Sequence, residues 1–261
     1  MVLLVRHGLT ATTGGVLTGW TPGIPLDDRG GGQAAALAAR LAPLRLDAII
    51  SSPLERCRQT AEAIAGSDGP KVRQDDRLGE CHYGDWTGKP LKRLAKEPLW
   101  RVVQAHPSAM RFPGRSGESM LDMQHRAVSA LREWNAALGP DAVYLVCSHG
   151  DVIKSVIADS LGMHLDMLQR IQIDPCSLSV IRYTPLRPFV LRLNDTGGTV
   201  DSLARQEAKR SGARAGGESD GAVGGGAGEA AGTDTERGGA ASAPEPVLGA
   251  GGAAPRGGTG R

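Results

Sequence analysis

The sequence predicts an α/β fold, a three-layer sandwich around a mostly parallel sheet, on three observations. Short apolar runs alternate with helix-forming stretches from the start to about residue 198. One run, AVYLVCS (142–148), is continuously apolar, as strands buried on both faces of a parallel sheet are. From Thr199 onward there is no Phe, Tyr, Trp, Ile or Met. The core is therefore expected in residues 1–198. Residues 199–261 read as a disordered Gly/Ala-rich tail, too poor in apolar surface to offset its ordering entropy.

MVLLVR opens the chain as a buried strand, and GGQAAALAARLAPL (31–44) follows as a helix of strong formers. DAIISS (47–52) is the second strand. PLERCRQTAEAIAG (53–66) is a helix with a marked start: Ser52 as N-cap, Pro53 at the first helical position, Glu55 completing a capping box. Gly66 stops it. KVRQDDRL (71–78) reads as a strand, residues 90–105 as mostly helical, and ESMLDMQHRAVSALREWNAALG (118–139) as a long amphipathic helix. After AVYLVCS, GDVIKSVIADSLG (150–162) is helical, and SLSVIRYT (177–184) and FVLRLN (189–194) close the sheet. In open sheets of this kind, ligands bind beyond the carboxyl ends of the strands.

A net charge of +2 over 261 residues gives no case for a nucleic-acid or membrane-surface binder. MVLLV is too short for a signal peptide, and no apolar run approaches the ~18 residues of a membrane span. Cys57, Cys81, Cys147 and Cys176 are scattered, with no C-x-x-C pair. They fit reduced thiols in a cytoplasmic enzyme better than a metal knuckle or a disulfide scaffold.

The strand-end rule makes two stretches pointed. VRHG (5–8) and CSHG (147–150) both end an apolar strand in His-Gly, so His7 and His149 should reach one edge of the sheet. The helix after DAIISS starts at that edge with Arg56 in its first turn, where free N–H groups and the dipole favour an anion. LGECHYGDWTG (78–88) follows another strand and supplies Glu80. Two arginines, two histidines and one carboxyl suit a phosphate monoester. A neutral imidazole can attack a phosphoryl dianion and carry it covalently. Arg6 and Arg56 should keep His7 unprotonated and grip the phosphoryl oxygens. Glu80, close to bound phosphate, should hold a proton for the leaving alkoxide. Gly8 is expected to clear space where the backbone passes the ligand.

LVRHG, SSPLERCRQTA, the Glu of GECHYGDWTG and SHGDVI, in that order, resemble the histidine phosphatase superfamily, which includes cofactor-dependent phosphoglycerate mutases. The resemblance runs to about Leu193. It implies a phosphoglycerate mutase-like fold, phosphorylation of His7, a phosphoryl grip by Arg6, Arg56 and His149, and Glu80 as general acid. No cofactor is implied. The Ala-, Gly- and Arg-rich composition resembles that of actinobacterial members. Thr13 stands where many relatives place a phosphate-contacting Asn, and Leu9 where many have Glu or Gln. Cys81 replaces the Arg of the mutases' E-R-H-Y-G, while GDWTG is closer to the phosphatase branches.

The expectation is thus a cytoplasmic phosphomonoester hydrolase, active on a small phosphorylated metabolite through a phosphohistidine. The alternative is a phosphoglycerate mutase-type phosphotransferase using the same residues, and behind it an inactive scaffold that binds phosphorylated ligands. A homodimer is left open. A metal held by His7, His149 and Glu80 is disfavoured, because two arginines would face the cation. His82, two residues past Glu80, is expected to line the pocket. Glu118 and Ser119 of PGRSGES carry two readings, substrate contact or helix N-cap. Residues 85–116 are the expected lid and specificity segment. Trp86 and Trp100 read as packing, and Arg58, two positions from Arg56, as structural.

Overall fold

A computed structural model describes residues 1–197. The expected tail at 199–261 lies outside them. Six strands form one sheet: β1 (Val2–Arg6), β2 (Ala48–Ser51), β3 (Val72–Gln74), β4 (Tyr144–Ser148), β5 (Leu178–Tyr183) and β6 (Pro188–Asp195). Their spatial order is β3-β2-β4-β1-β5-β6. The pairs β3/β2, β2/β4 and β4/β1 are parallel, while β5 and β6 join antiparallel. The helices are α1 (Asp28–Leu41), α2 (Glu55–Ala65), α3 (Leu91–Leu94), α4 (Pro98–Ala105), α5 (Met120–Leu138) and α6 (Gly150–Ser160).

The two-residue period of a strand sorts each side chain to one of two cores. Leu3, Val5, Ile49, Leu145 and Cys147 face one way and pack with Ala34, Leu37 and Leu41 of α1 and Cys57 and Ala61 of α2. Val2, Leu4, Ile50, Tyr144 and Val146 face the other way, onto Met123 and Ala127 of α5 and Val152, Val156 and Ile157 of α6. That makes the three layers. Each fully buried Leu or Val contributes about 1.5–3 kcal/mol relative to exposure, so the central strands β1, β2 and β4, buried on both faces, hold their register firmly.

Three local expectations need correction. Helix α1 begins at Asp28, three residues before the expected start, because Asp27 caps it by accepting the Gly30 N–H at 2.7 Å. Helix α2 begins at Glu55, with Leu54 extended at the N-cap and no side-chain cap. Its predicted capping box does not form: the helix starts two residues later than expected, and the Ser52 hydroxyl, held by His149, takes only one backbone N–H, that of Leu54 at 3.3 Å. The third strand is only Val72–Gln74, and Asp76–Leu78 turns into a 3₁₀ segment capped by Asp75. Elsewhere the elements fall where the periodicity puts them. Gly66 ends α2 at φ 58°, a conformation that favours glycine. Trp86 is buried and meets Phe112 edge-on at 5.6 Å, a packing role.

Candidate active site

The register of β1 and β4 sets the site. Arg6 is level with Ser148, so the next residues out of each strand, His7 and His149, leave the sheet side by side. Their ring centroids are 5.2 Å apart at 61°. Neighbouring β2 ends at Ser51, and the turn through Ser52–Leu54 starts α2 at the same edge, with Arg56 second in the helix. Glu80 follows the 3₁₀ segment after β3. Arg6, His7, Arg56, Glu80 and His149 are all at most 6% exposed.

Hydrogen bonds fix the imidazole of His7. Its Nδ1 lies 2.7 Å from the Gly8 carbonyl, which can only accept, so Nδ1 carries the proton. Nε2 is then the lone pair, and it receives the Arg56 Nε–H at 3.3 Å. Burial, then Arg56 and Arg6, holds the His7 pKa well below its ordinary value. The ring is a neutral nucleophile aimed between cations. His149 has the other tautomer. Arg56 donates to its Nδ1 at 3.3 Å, leaving Nε2–H to donate to Ser52 Oγ at 2.8 Å. Burial, Arg56 and His7 keep it neutral too. Arg6 donates to the Ile173 carbonyl at 2.7 Å. Its buried Nε–H has no partner among the described residues and is available to an anion.

Glu80 lies across from these groups, its Oε2 3.8 Å from His149 Nδ1. Burial and then Asp151 push its pKa up to about 7, against the Cys81 N–H, Arg56 and Arg6, which pull it down. The carboxyl can hold a proton near neutrality before any phosphate arrives. These side chains, His149 excepted, line a cleft of about 380 Å³ including its mouth, together with Thr10, Thr13 and Tyr83. Thr13 also accepts the Thr10 N–H at 3.0 Å.

The remaining expectations fare differently. His82 stacks on Trp20 at 4.5 Å and is outside the residues lining the cleft. Ser119 caps α5 in a capping box with Asp122. Glu118 accepts the His82 N–H at 2.8 Å and pairs with Arg126 at 2.6 Å. Neither lines the cleft, so the capping reading fits Ser119, and Glu118 acts on the loop instead. Arg126 donates in turn to the carbonyls of Arg77, Gly79 and Glu80, stapling the segment that carries the acid. Cys81 is buried in the larger core rather than standing in a substrate pocket. Gly8 makes room for protein, not ligand: a Cβ there would lie 2.6 Å from the Gly30 carbonyl oxygen.

Sequence reasoning missed several supporting groups. Ser52 orients His149, and Thr60 accepts the Gly8 N–H at 3.1 Å. Asp151 accepts the Tyr83 hydroxyl at 2.8 Å and acts on Glu80 from behind. Asp151 stood in plain view two residues after His149, but its buried setting has no local signal.

Fold and site define an α/β sandwich whose parallel strand ends converge on a histidine–arginine centre for a phosphoryl-type anion. Residues 2–196 match the model of the histidine phosphatase superfamily (branch 1), and the chain belongs to that family. It is 33% identical over 173 residues to a glucosyl-3-phosphoglycerate phosphatase of Mycolicibacterium vanbaalenii, covering 63% of this chain and 76% of the relative. It is 34% identical over 187 residues to a protein of Cronobacter sakazakii named probable phosphoglycerate mutase GpmB, covering 70% and 84%. A phosphoserine phosphatase of Entamoeba histolytica, solved with 3-phosphoglyceric acid, superposes with a TM-score of 0.68 at 25% identity, over 75% of this chain and 97% of the other.

Proposed function

We propose that this protein hydrolyses the phosphomonoester of a small phosphorylated metabolite through a phosphohistidine at His7, without a metal. The observation that carries the reading is the fixed tautomer of His7, whose Nε2 lone pair points at Arg56 while Nδ1 is tied to Gly8. Nε2 attacks phosphorus and the ester P–O bond breaks in line. Arg6 and Arg56 hold the phosphoryl oxygens as charge spreads over them, and His149 joins them as a donor only when the bound dianion brings a proton onto its Nδ1. The proton of Glu80 passes to the leaving oxygen. Water, deprotonated by Glu80, then attacks phosphorus, the P–N bond breaks, and phosphate leaves.

The two arginines repel a divalent cation from this centre, which supports the metal-free reading. Hydrolysis is favoured over transfer because the 85–116 segment is short and no second cation lines the cleft beyond the phosphoryl cradle, among the described residues. The mutase-named relative keeps phosphotransfer as the second reading. The catalytic unit is residues 1–198, and truncation after Gly198 should leave kcat/KM unchanged. A cytoplasmic location fits the four buried free cysteines, and no described helix is long and apolar enough to cross a membrane. A denaturing quench at alkaline pH during turnover of p-nitrophenyl phosphate, followed by peptide mass analysis kept out of acid because acid cleaves the P–N bond, should find phosphate on His7. Phosphate on another residue, or none during steady turnover with chemistry ahead of a slow second step, overturns the proposal.

A further inference from the structure

We infer that the cleft selects an uncharged, hydroxylated leaving group, such as a glycerol or sugar alcohol, over one bearing a carboxylate. This rests on the phosphatase reading above and concerns the part of the cleft beyond the phosphoryl cradle. That wall comes mostly from the loop after His7, and its polar surface consists of threonine hydroxyls. Thr10 Oγ1 lies 2.9 Å from Thr13 Oγ1 and 3.1 Å from Thr12 Oγ1, and Thr12 Oγ1 lies 2.8 Å from Thr18 Oγ1. Thr10, Thr13 and Thr18 line the cleft, and Val16, Leu17 and Leu91 supply its apolar strip.

A chain of hydroxyls can donate and accept by rotation, so it adapts to an alcohol that also does both. It gives a carboxylate donors but no counter-charge. The cleft's two arginines are at the phosphoryl end, where His7 and His149 already share Arg56. Lys92 and Arg93, next to Leu91, are exposed and outside the lining. Glu80 and Asp151 add negative potential once Glu80 gives up its proton. A desolvated carboxylate here would lose water without gaining a cation, the costliest exchange a site can impose on a ligand. The apolar strip suits the C–H faces of a polyol.

Glycerol 3-phosphate and 3-phosphoglycerate test this, because they differ by a hydroxymethyl group in place of a carboxylate. Each is measured as a competitor of p-nitrophenyl phosphate hydrolysis, which gives a constant whether or not the compound is itself turned over. Glycerol 3-phosphate should bind at least tenfold more tightly. Thr18→Arg, which places a cation on the same wall, should shift the ratio at least tenfold toward 3-phosphoglycerate. If p-nitrophenyl phosphate is hydrolysed and the wild-type protein binds 3-phosphoglycerate as well as or better than glycerol 3-phosphate, the inference is overturned while the phosphatase reading stands. If p-nitrophenyl phosphate is not hydrolysed at all, the phosphatase reading fails and takes the inference with it.

Discussion

The Nε–H of Arg56 meets Nε2 of His7 at 3.3 Å, so the nitrogen proposed to attack phosphorus already faces the guanidinium proposed to hold it. Arg56 also reaches the Gly19 carbonyl at 2.9 Å and His149 Nδ1. One planar fork thereby spaces both imidazoles. Lysine would keep the charge and lose the fork. Arg56→Lys should lower kcat for p-nitrophenyl phosphate by about 10²–10³, the cost of one preorganised donor set. His7→Ala should abolish turnover without unfolding the protein. Steady-state kinetics with circular dichroism checks both, and near-normal kcat in Arg56→Lys would reduce the guanidinium to a simple charge.

Glu80 gives a pH dependence with a definite sign. As general acid it must be protonated, and its pKa is pushed up to about 7. Activity on an alkyl phosphate should therefore fall as pH rises through about 7, while p-nitrophenyl phosphate, with its better leaving group, is affected less. The same shift acts on stability. Below 4.5 the carboxyl is protonated folded or unfolded, and between 4.5 and about 7 only the folded chain keeps the proton. The stability it contributes is thus complete at low pH and lost on rising through about 7, on the order of 3 kcal/mol in all. Glu80→Gln should flatten this loss in denaturant titrations. Asp151→Asn removes a raising neighbour and should move the alkaline limb of kcat/KM to lower pH. An unmoved limb would detach Asp151 from the acid.

Ser52 holds His149 by accepting Nε2–H at 2.8 Å. Ser52→Ala leaves that buried donor without its oxygen, at a cost of about 1–3 kcal/mol. It also frees the ring to turn Nδ1 away from Arg56. Thermal melts should show the stability loss, and kcat should fall more than KM rises, because the hydroxyl lies behind the ring rather than in the cleft. A KM effect alone would mean that Ser52 touches substrate.

What could be read in the sequence was whatever its own neighbours encode. His7, His149 and Arg56 each lie just past a strand end or at a helix start, so period and punctuation placed them at one sheet edge before any contact was known. The same local logic misread Ser52. Its hydroxyl has two suitors, the α2 N–H groups and the His149 ring, and only the second depends on a strand nearly a hundred residues away. Thr60, Asp151 and Arg126 were hidden for the same reason, since each acts through a partner brought near by the sheet. Glu118 beside Ser119 carried two local readings, and the Arg126 guanidinium decides its place. Gly8 was legible as a tight spot, but what crowds it is Gly30.

That crowding makes the last prediction. The first turn of α1 presses on the loop leaving His7. Asp27 N–H donates to the Leu9 carbonyl at 3.0 Å, and Leu9 N–H donates to Gln33 Oε1 at 3.0 Å. A Cβ on Gly30 would stand 2.0 Å from the Leu9 carbonyl oxygen, a backbone atom that cannot rotate aside. Gly30→Ala must therefore move the helix or the loop, and the loop begins one residue from the nucleophile. The expected cost is about 1–3 kcal/mol, as for an overpacked core, with kcat falling because Gly8 carries the carbonyl that fixes the His7 tautomer. Gly31 and Gly32, in the same helix, have nothing within 4 Å of a built Cβ. Alanine at either should instead stabilise by about 0.5–1 kcal/mol through helix propensity, with activity unchanged. Melting curves and p-nitrophenyl phosphate kinetics on the three variants separate the cases: helix propensity alone would move all three the same way, and only contact with the His7 loop makes Gly30 the exception.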